Sequence, residues 1–145
     1  MGKVVSIVLI AGESKRIKSN KSKVFHEIAE KPLIEYVYSI TKKISPKNII
    51  FVCNKKNINK ISKNFTQVKT VLQKKPKGTA DAVLCTKNVL PKNRDVLILF
   101  GDVPLIEATS IKRLIKIYNT YHTVGCLLAF KAKNPSGYGR VETAG

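Results

Sequence analysis

At 145 residues the chain has the size of one domain. Hydrophobic residues make up 43% and charged residues 25%, enough apolar surface for a core, which excludes a disordered chain. Lys and Arg number 27 against nine Asp and Glu, so the net charge is +18 and the surface attracts anions.

Lys3 to Ile10 is a continuous apolar, β-branched run, the pattern of a strand buried on both faces. Gly12 to Ser22 is polar and reads as a loop. Pro32 stands where a helix can start, and Leu33, Val37, Ile40 and Ile44 then recur at helical spacing until Pro46. Asn48 to Cys53 predicts a second strand, and Lys55 to Asn64 a short surface helix. Val68 to Leu72 predicts a third strand. Thr79 to Leu90 carries Ala80, Val83, Leu84 and Val89 on one side of a helix that Thr79 would cap. Asp95 to Phe100 is the strongest strand pattern in the chain, and Glu107 to Tyr118 a further helix. Thr123 to Phe130 predicts another strand, Pro135 to Gly139 a turn, and Arg140 to Glu142 the opening of a last strand.

This alternation predicts an α/β domain, a Rossmann-like open and mainly parallel sheet with helices on both faces. No repeat or linker divides it, so residues 1–145 are expected to form a single domain. Apolar runs fall well short of the ~20 residues that span a bilayer, and the N-terminus lacks a signal-peptide core and cleavage site. The expectation is a cytoplasmic protein without a membrane partner. Cys53, Cys85 and Cys126 are odd in number and widely spaced, so they read as small buried hydrophobes rather than a disulfide or zinc framework.

Nucleic acid is the first partner that a charge of +18 suggests, and three features argue against it. Lys supplies 23 of the 27 cations, whereas phosphate and base recognition favours the arginine fork. The cations are spread over both halves of the chain, and no basic run carries interleaved aromatics. A polyanion-binding module therefore ranks behind an enzyme that handles small anions.

Sheets of this type bind ligands where the strands end, which singles out two loops. In one, Gly12, Lys15, Arg16 and Lys23 follow the first buried strand. Backbone N–H groups and cations there suit phosphates, although a solvated basic loop has the same composition. It is neither a P-loop nor a dinucleotide fingerprint. In the other, Asp102 follows the most apolar strand. A carboxylate so placed suits Mg²⁺ shared with substrate phosphates, or caps a turn. The two histidines, His26 and His122, come without a nucleophile elbow, which disfavours a Ser-His-Asp hydrolase.

Taken together, these segments resemble the sugar-phosphate nucleotidyltransferases. Leu9-Ile10-Ala11-Gly12-Glu13-Ser14-Lys15-Arg16-Ile17 and Ser22-Lys23-Val24-Phe25-His26 are similar to L-A-A-G-x-G-T-R-M and P-K-V-L-H. Gln73 with Gly78-Thr79-Ala80, Gly101-Asp102-Val103-Pro104-Leu105, and Pro135-Ser136-Gly137-Tyr138-Gly139-Arg140 follow in the family's order. Among its members, the segments resemble the uridylyltransferase domains that form UDP-N-acetylglucosamine. The resemblance implies a nucleotide-diphospho-sugar transferase fold, incomplete at its C-terminus, because family members continue beyond Gly145. It implies UTP or another nucleoside triphosphate and a sugar 1-phosphate as substrates, with Mg²⁺ as cofactor. It implies that Arg16 and Lys23 act on the phosphates and that Leu9, Ile10, Ala11, Gly12, Gln73, Gly78 and Thr79 bind the nucleotide. Asp102 would hold the metal and Gly139 would approach the sugar. Ser14, Lys15, Ser22 and Ile10 depart from the family's Gly, Thr, Pro and Ala. Those departures and the shortened acceptor side leave two further readings: an inactive relative that keeps nucleotide binding, and a domain completed by a partner chain.

Overall fold

The structure, a computed structural model, describes residues 4–12 and 21–142. The chain forms two compact units, residues 1–108 and 109–145. In the first unit, β1 (Val4–Leu9), β4 (Ile49–Cys53), β5 (Lys69–Leu72) and β6 (Asp95–Phe100) form a parallel sheet in the order β5-β4-β1-β6. The apolar, β-branched sequences of β1 and β4 suit strands covered on both faces, and every residue of β4 is buried, whereas β6 exposes Val96, Ile98 and Phe100 on one face. A two-residue hairpin, β2 (Glu27–Ile28) with β3 (Lys31–Pro32), lies outside this sheet and turns through Ala29 and Glu30 at φ 48° and 61°.

Helices pack on both faces of the central strands β1 and β4. The helix α1 (Leu33–Ile44) buries Leu33, Ile34, Val37, Thr41 and Ile44. It lies on the face of Ser6, Val8 and Phe51: the Tyr38 ring meets Phe51 edge-on at 6.1 Å, and the Ser45 and Ser6 hydroxyls are hydrogen bonded. It stops at Ile44 because Ser45 precedes Pro46, which disfavours helical backbone. The opposite face, with Ile7 and Val52, packs against Ala82 of α3 (Thr79–Leu84). The short helix α2 (Ile58–Asn64) buries Ile61 and delivers Phe65 to the rings of Tyr38 and Phe51 at 5.0 and 5.5 Å.

Two helical expectations are corrected here. Thr79 does not cap α3: Gly78 occupies the cap position, which has no side-chain cap hydrogen bond. The helix also ends at Leu84 rather than Leu90. Thr86 turns its hydroxyl back onto the Val83 carbonyl at 2.7 Å, and its amide bonds the same oxygen, tightening the chain into turns.

The second unit contains most of α4 (Ala108–Tyr121), whose one buried side chain is Ile111. Residues 123–130 form no strand and join no sheet, and Leu127, Leu128 and Phe130 are exposed. The apolar run thus has strand composition without the neighbouring strand that would make it one. Residues 140–142 likewise form no strand, whereas Pro135 to Gly139 turns as expected, with the Tyr138 amide on the Pro135 carbonyl at 3.1 Å. The cysteines differ from expectation as well: Cys53 is buried and Cys85 half-buried, but Cys126 is exposed. Among the described residues no helix is long and apolar enough to cross a membrane.

Candidate functional site

The strand order locates a crevice. From β1 the chain moves outward through β4 and β5, then returns to place β6 on the other side of β1. The direction of winding therefore reverses between β1 and β6, and the carboxyl ends of these two strands flank the point where open α/β sheets bind ligands. Ile10, Ala11 and Gly12 leave β1 there, and Gly101 and Asp102 leave β6 beside them. The Gly101 amide continues the ladder by bonding the Leu9 carbonyl at 3.0 Å.

Gly101 owes its place to close packing. A Cβ on it would lie 2.2 Å from Ile10 Cγ2 and 3.4 Å from the Leu9 carbonyl oxygen. The extra carbons of Ile10, bulkier than the family's alanine, are accommodated over this glycine, and the side chain is buried.

Asp102 meets Lys23, which lies on a single 3-10 turn, Lys23–Phe25. The Lys23 ammonium donates to Asp102 Oδ2 at 2.8 Å, joining residues 79 positions apart. With the two side chains 43% and 36% exposed, solvent screens this pair to roughly 0–1 kcal/mol of stability at most. Its significance is positional: a carboxylate and an ammonium converge at the switch point. Among the described residues no three His, Cys, Asp or Glu side chains converge to cage a metal. The single hard carboxylate of Asp102 fits Mg²⁺ coordinated jointly by the protein and substrate phosphates.

Two asparagines hold the start of the β1 loop. After β4, the Asn57 amide donates to the Ile10 carbonyl at 2.7 Å, and the Asn54 amide donates to the Ala11 carbonyl at 3.0 Å. The pair is itself braced, since the Asn54 backbone N–H donates to Asn57 Oδ1 at 3.0 Å. Asn57 is fully buried, so it has exchanged water for these partners. Sequence reasoning missed both residues. The only signal was two asparagines shortly after a buried strand, a pattern shared with ordinary turns.

At the far end of the same edge, Gln73 follows β5. Its backbone N–H bonds the Cys53 carbonyl at 2.8 Å, and its side chain is buried. The Gln73 carboxamide donates to Asp81 Oδ2 at 2.7 Å and to the Gly78 carbonyl at 3.3 Å. Gly78 has φ 113°, a conformation that L side chains rarely adopt, and it turns the chain into α3. Thr79, beside it, is exposed.

Leu9, Ile10, Ala11, Gly12, Lys23, Gln73, Gly78, Thr79 and Asp102 thus all lie at the carboxyl edge of one sheet within the first unit. Arg16, with Ser14 and Lys15, lies outside the described residues. Gly139 belongs to the second unit, where it is exposed. His26 carries its Nε2 buried without a hydrogen-bond partner among the described residues.

Residues 6–139 match the family model for the MobA-like NTP transferase domain. The chain is similar to the bifunctional protein GlmU of Buchnera aphidicola subsp. Acyrthosiphon pisum (strain Tuc7), 37% identical over 139 residues, which covers 95% of this chain and 30% of that protein. It is 38% identical over 135 residues to the bifunctional protein GlmU of Fervidobacterium nodosum, covering 93% of this chain and 29% of that one. The chain therefore spans about 30% of the length of the curated relatives it matches. Among solved structures, a putative glucose-1-phosphate thymidylyltransferase from Bacillus anthracis superposes with TM-score 0.71 at 16% identity, covering 81% of this chain and 50% of that chain. A Mycobacterium tuberculosis H37Rv protein, Rv0371c, superposes with TM-score 0.69 at 13% identity, covering 82% and 62%. Both likenesses are of fold.

Proposed function

The chain belongs to the MobA-like NTP transferase domain family, and from that membership we propose that it transfers a nucleotidyl group to a sugar 1-phosphate. The reading to which its relatives lend most weight is UTP and N-acetylglucosamine 1-phosphate giving UDP-N-acetylglucosamine and pyrophosphate, in the cytoplasm. The observation that carries it is the meeting of Lys23 and Asp102, 2.8 Å apart, at the switch point beside the β1 loop.

The dimensions of the edge suit such a substrate. Three strand intervals separate β5 from β6, about 14 Å at the usual spacing between neighbouring strands. A nucleoside triphosphate laid along that edge puts its base at Gln73, Gly78 and Thr79 and its triphosphate over Ile10 to Gly12, within reach of Asp102 and Lys23. The sugar-phosphate oxygen attacks the α-phosphorus; the new O–P bond forms as the bond to the β-phosphate oxygen breaks, and pyrophosphate leaves with that electron pair. Such a transfer needs alignment and charge neutralisation more than covalent help. Lys23 supplies a cation at the phosphates, and Arg16, by its place in the motif, a second. The backbone N–H groups of the β1 loop donate to phosphate oxygens. Asp102 would hold Mg²⁺, which when bound neutralises phosphate charge. Gly139 would approach the sugar.

The experiment is pyrophosphate release from UTP and N-acetylglucosamine 1-phosphate with Mg²⁺, alongside equilibrium binding of UTP. We expect release by the chain and a loss of about 10²-fold or more in Asp102→Ala. Activity unchanged in that variant overturns the role of Asp102. The alternative is a domain that binds nucleotide without turnover. UTP binding with no pyrophosphate above a protein-free blank would decide for it.

A further inference from the structure

The buried carboxamide of Gln73 is held in one orientation by a neighbour to which sequence reasoning gives no role. Its nitrogen has two hydrogens, and both are used: one on Asp81 Oδ2 at 2.7 Å, the other on the Gly78 carbonyl at 3.3 Å. A carboxylate and a carbonyl can only accept. Turning the amide over would set Gln73 Oε1 against two acceptors, in a side chain that is 4% exposed, where water cannot relieve the mismatch. The orientation is thus dictated by chemistry. Gly78 keeps its carbonyl in place through a φ of 113°, and the same oxygen accepts the Ala82 amide at 3.1 Å. Gln73 Oε1 makes no hydrogen bond within the protein among the described residues.

We propose that Asp81 is a specificity-determining positioning residue: by tying down Gln73 Nε2 it leaves the base subsite with an acceptor alone, which selects a pyrimidine carrying a ring N–H over one carrying a lone pair. Uracil has a hydrogen on N3 at neutral pH and cytosine has none. Oε1 therefore bonds uracil and faces cytosine as acceptor against acceptor. The proposal rests on the reading that a nucleotide lies along this edge with its base at Gln73, and it adds the reason for a preference among bases.

The test measures equilibrium binding of UTP and CTP to the 145-residue chain and to Asp81→Asn and Gln73→Ala, with Mg²⁺ present. The unsubstituted chain is expected to prefer UTP by about 10-fold or more, the order expected when one buried acceptor is left without its hydrogen bond. The carboxamide that D81N introduces can meet Gln73 with either its oxygen or its nitrogen, and so frees Gln73 to turn. The preference should therefore fall at least about fivefold in D81N. A purely structural role would weaken both nucleotides alike and leave the ratio unchanged. A ratio preserved in D81N but lost in Q73A overturns the role of Asp81 and leaves the base subsite standing. A ratio preserved in both overturns the base subsite as well. Absence of UTP binding by the unsubstituted chain overturns the proposed function together with this inference. A measurement without ligand covers the case in which D81N fails to fold. In the unsubstituted chain the Gln73 side-chain amide hydrogens should exchange with water more slowly than those of exposed Gln67, and equal rates would overturn the clamp.

Discussion

Gly101 shows how one missing carbon can carry a site. Its Cα faces Ile10 Cγ2 so closely that a methyl group would overlap it. Cγ2 is the branch of a β-branched chain and moves only if the whole χ1 rotates. Gly101→Ala is expected to destabilise the protein by about 1–3 kcal/mol in urea unfolding. In an Ile10→Ala background the same change should cost less, because the clashing atom is gone. A double-mutant cycle with no coupling would show that the two residues do not share this space. The sequence already indicated that position 10 is bulkier than its family counterpart. It could not indicate where the bulk goes, because that depends on a glycine 91 positions away, brought alongside by the β1–β6 register.

Elements divide by how much of their environment is local. Strands β1 and β4 were legible because burial on both faces demands unbroken apolar, β-branched runs, and β6 carries such a run although its Val96, Ile98 and Phe100 are exposed. The helix α1 was legible because its stripe and its bounding prolines are local signals. The hairpin of Glu27–Ile28 with Lys31–Pro32 escaped, since two-residue strands carry no period, and its turn uses Ala29 and Glu30 in place of the usual Asn or Gly. Residues 123–130 misled in the opposite way: an apolar run satisfies the composition of a strand, but pairing needs a neighbour. The site follows the same division. Gly12, Lys23 and Asp102 announce themselves by following buried strands. Asn54, Asn57 and Asp81 read as turn and surface residues until the fold shows what they bond. Asn57→Ala tests this at the level of the β4–α2 connection. It strands the Ile10 carbonyl away from water, and we expect a loss of about 1–3 kcal/mol in urea unfolding. A change under about 0.5 kcal/mol would mean that the loop holds itself without this anchor.

Across the whole molecule, the three thiols report on three environments. Cys53 is the last residue of β4 and fully buried, and burial pushes its thiol up from 9.0 to about 12. Cys126 is exposed in the second unit. At pH 8 a thiol reagent should therefore modify Cys126 first, Cys85 more slowly, and Cys53 only on unfolding; rapid modification of all three would contradict the fold described. Cys53 also has a pH signature. Its raised value favours the folded state fully below pH 9, where both states keep the proton. As pH rises from 9 toward 12, the unfolded thiol ionises and the folded one does not, so stability falls by up to about 1.4 kcal/mol per pH unit. Comparing alkaline unfolding of Cys53→Ala with the unsubstituted chain isolates this slope, and parallel curves would refute it.

The two asparagines beneath the β1 loop carry one more consequence. The Ile10 and Ala11 carbonyls point at Asn57 and Asn54, and none of the described peptide bonds is cis. In a trans peptide the carbonyl and the next amide point in opposite directions. The amides of Ala11 and Gly12 are thereby aimed away from the asparagines, giving that rim a positive polarity made of fixed dipoles. Salt that screens the charge of Lys23 leaves the orientation of these dipoles unchanged, so the rim keeps its polarity toward an anion where the net charge of the protein no longer counts.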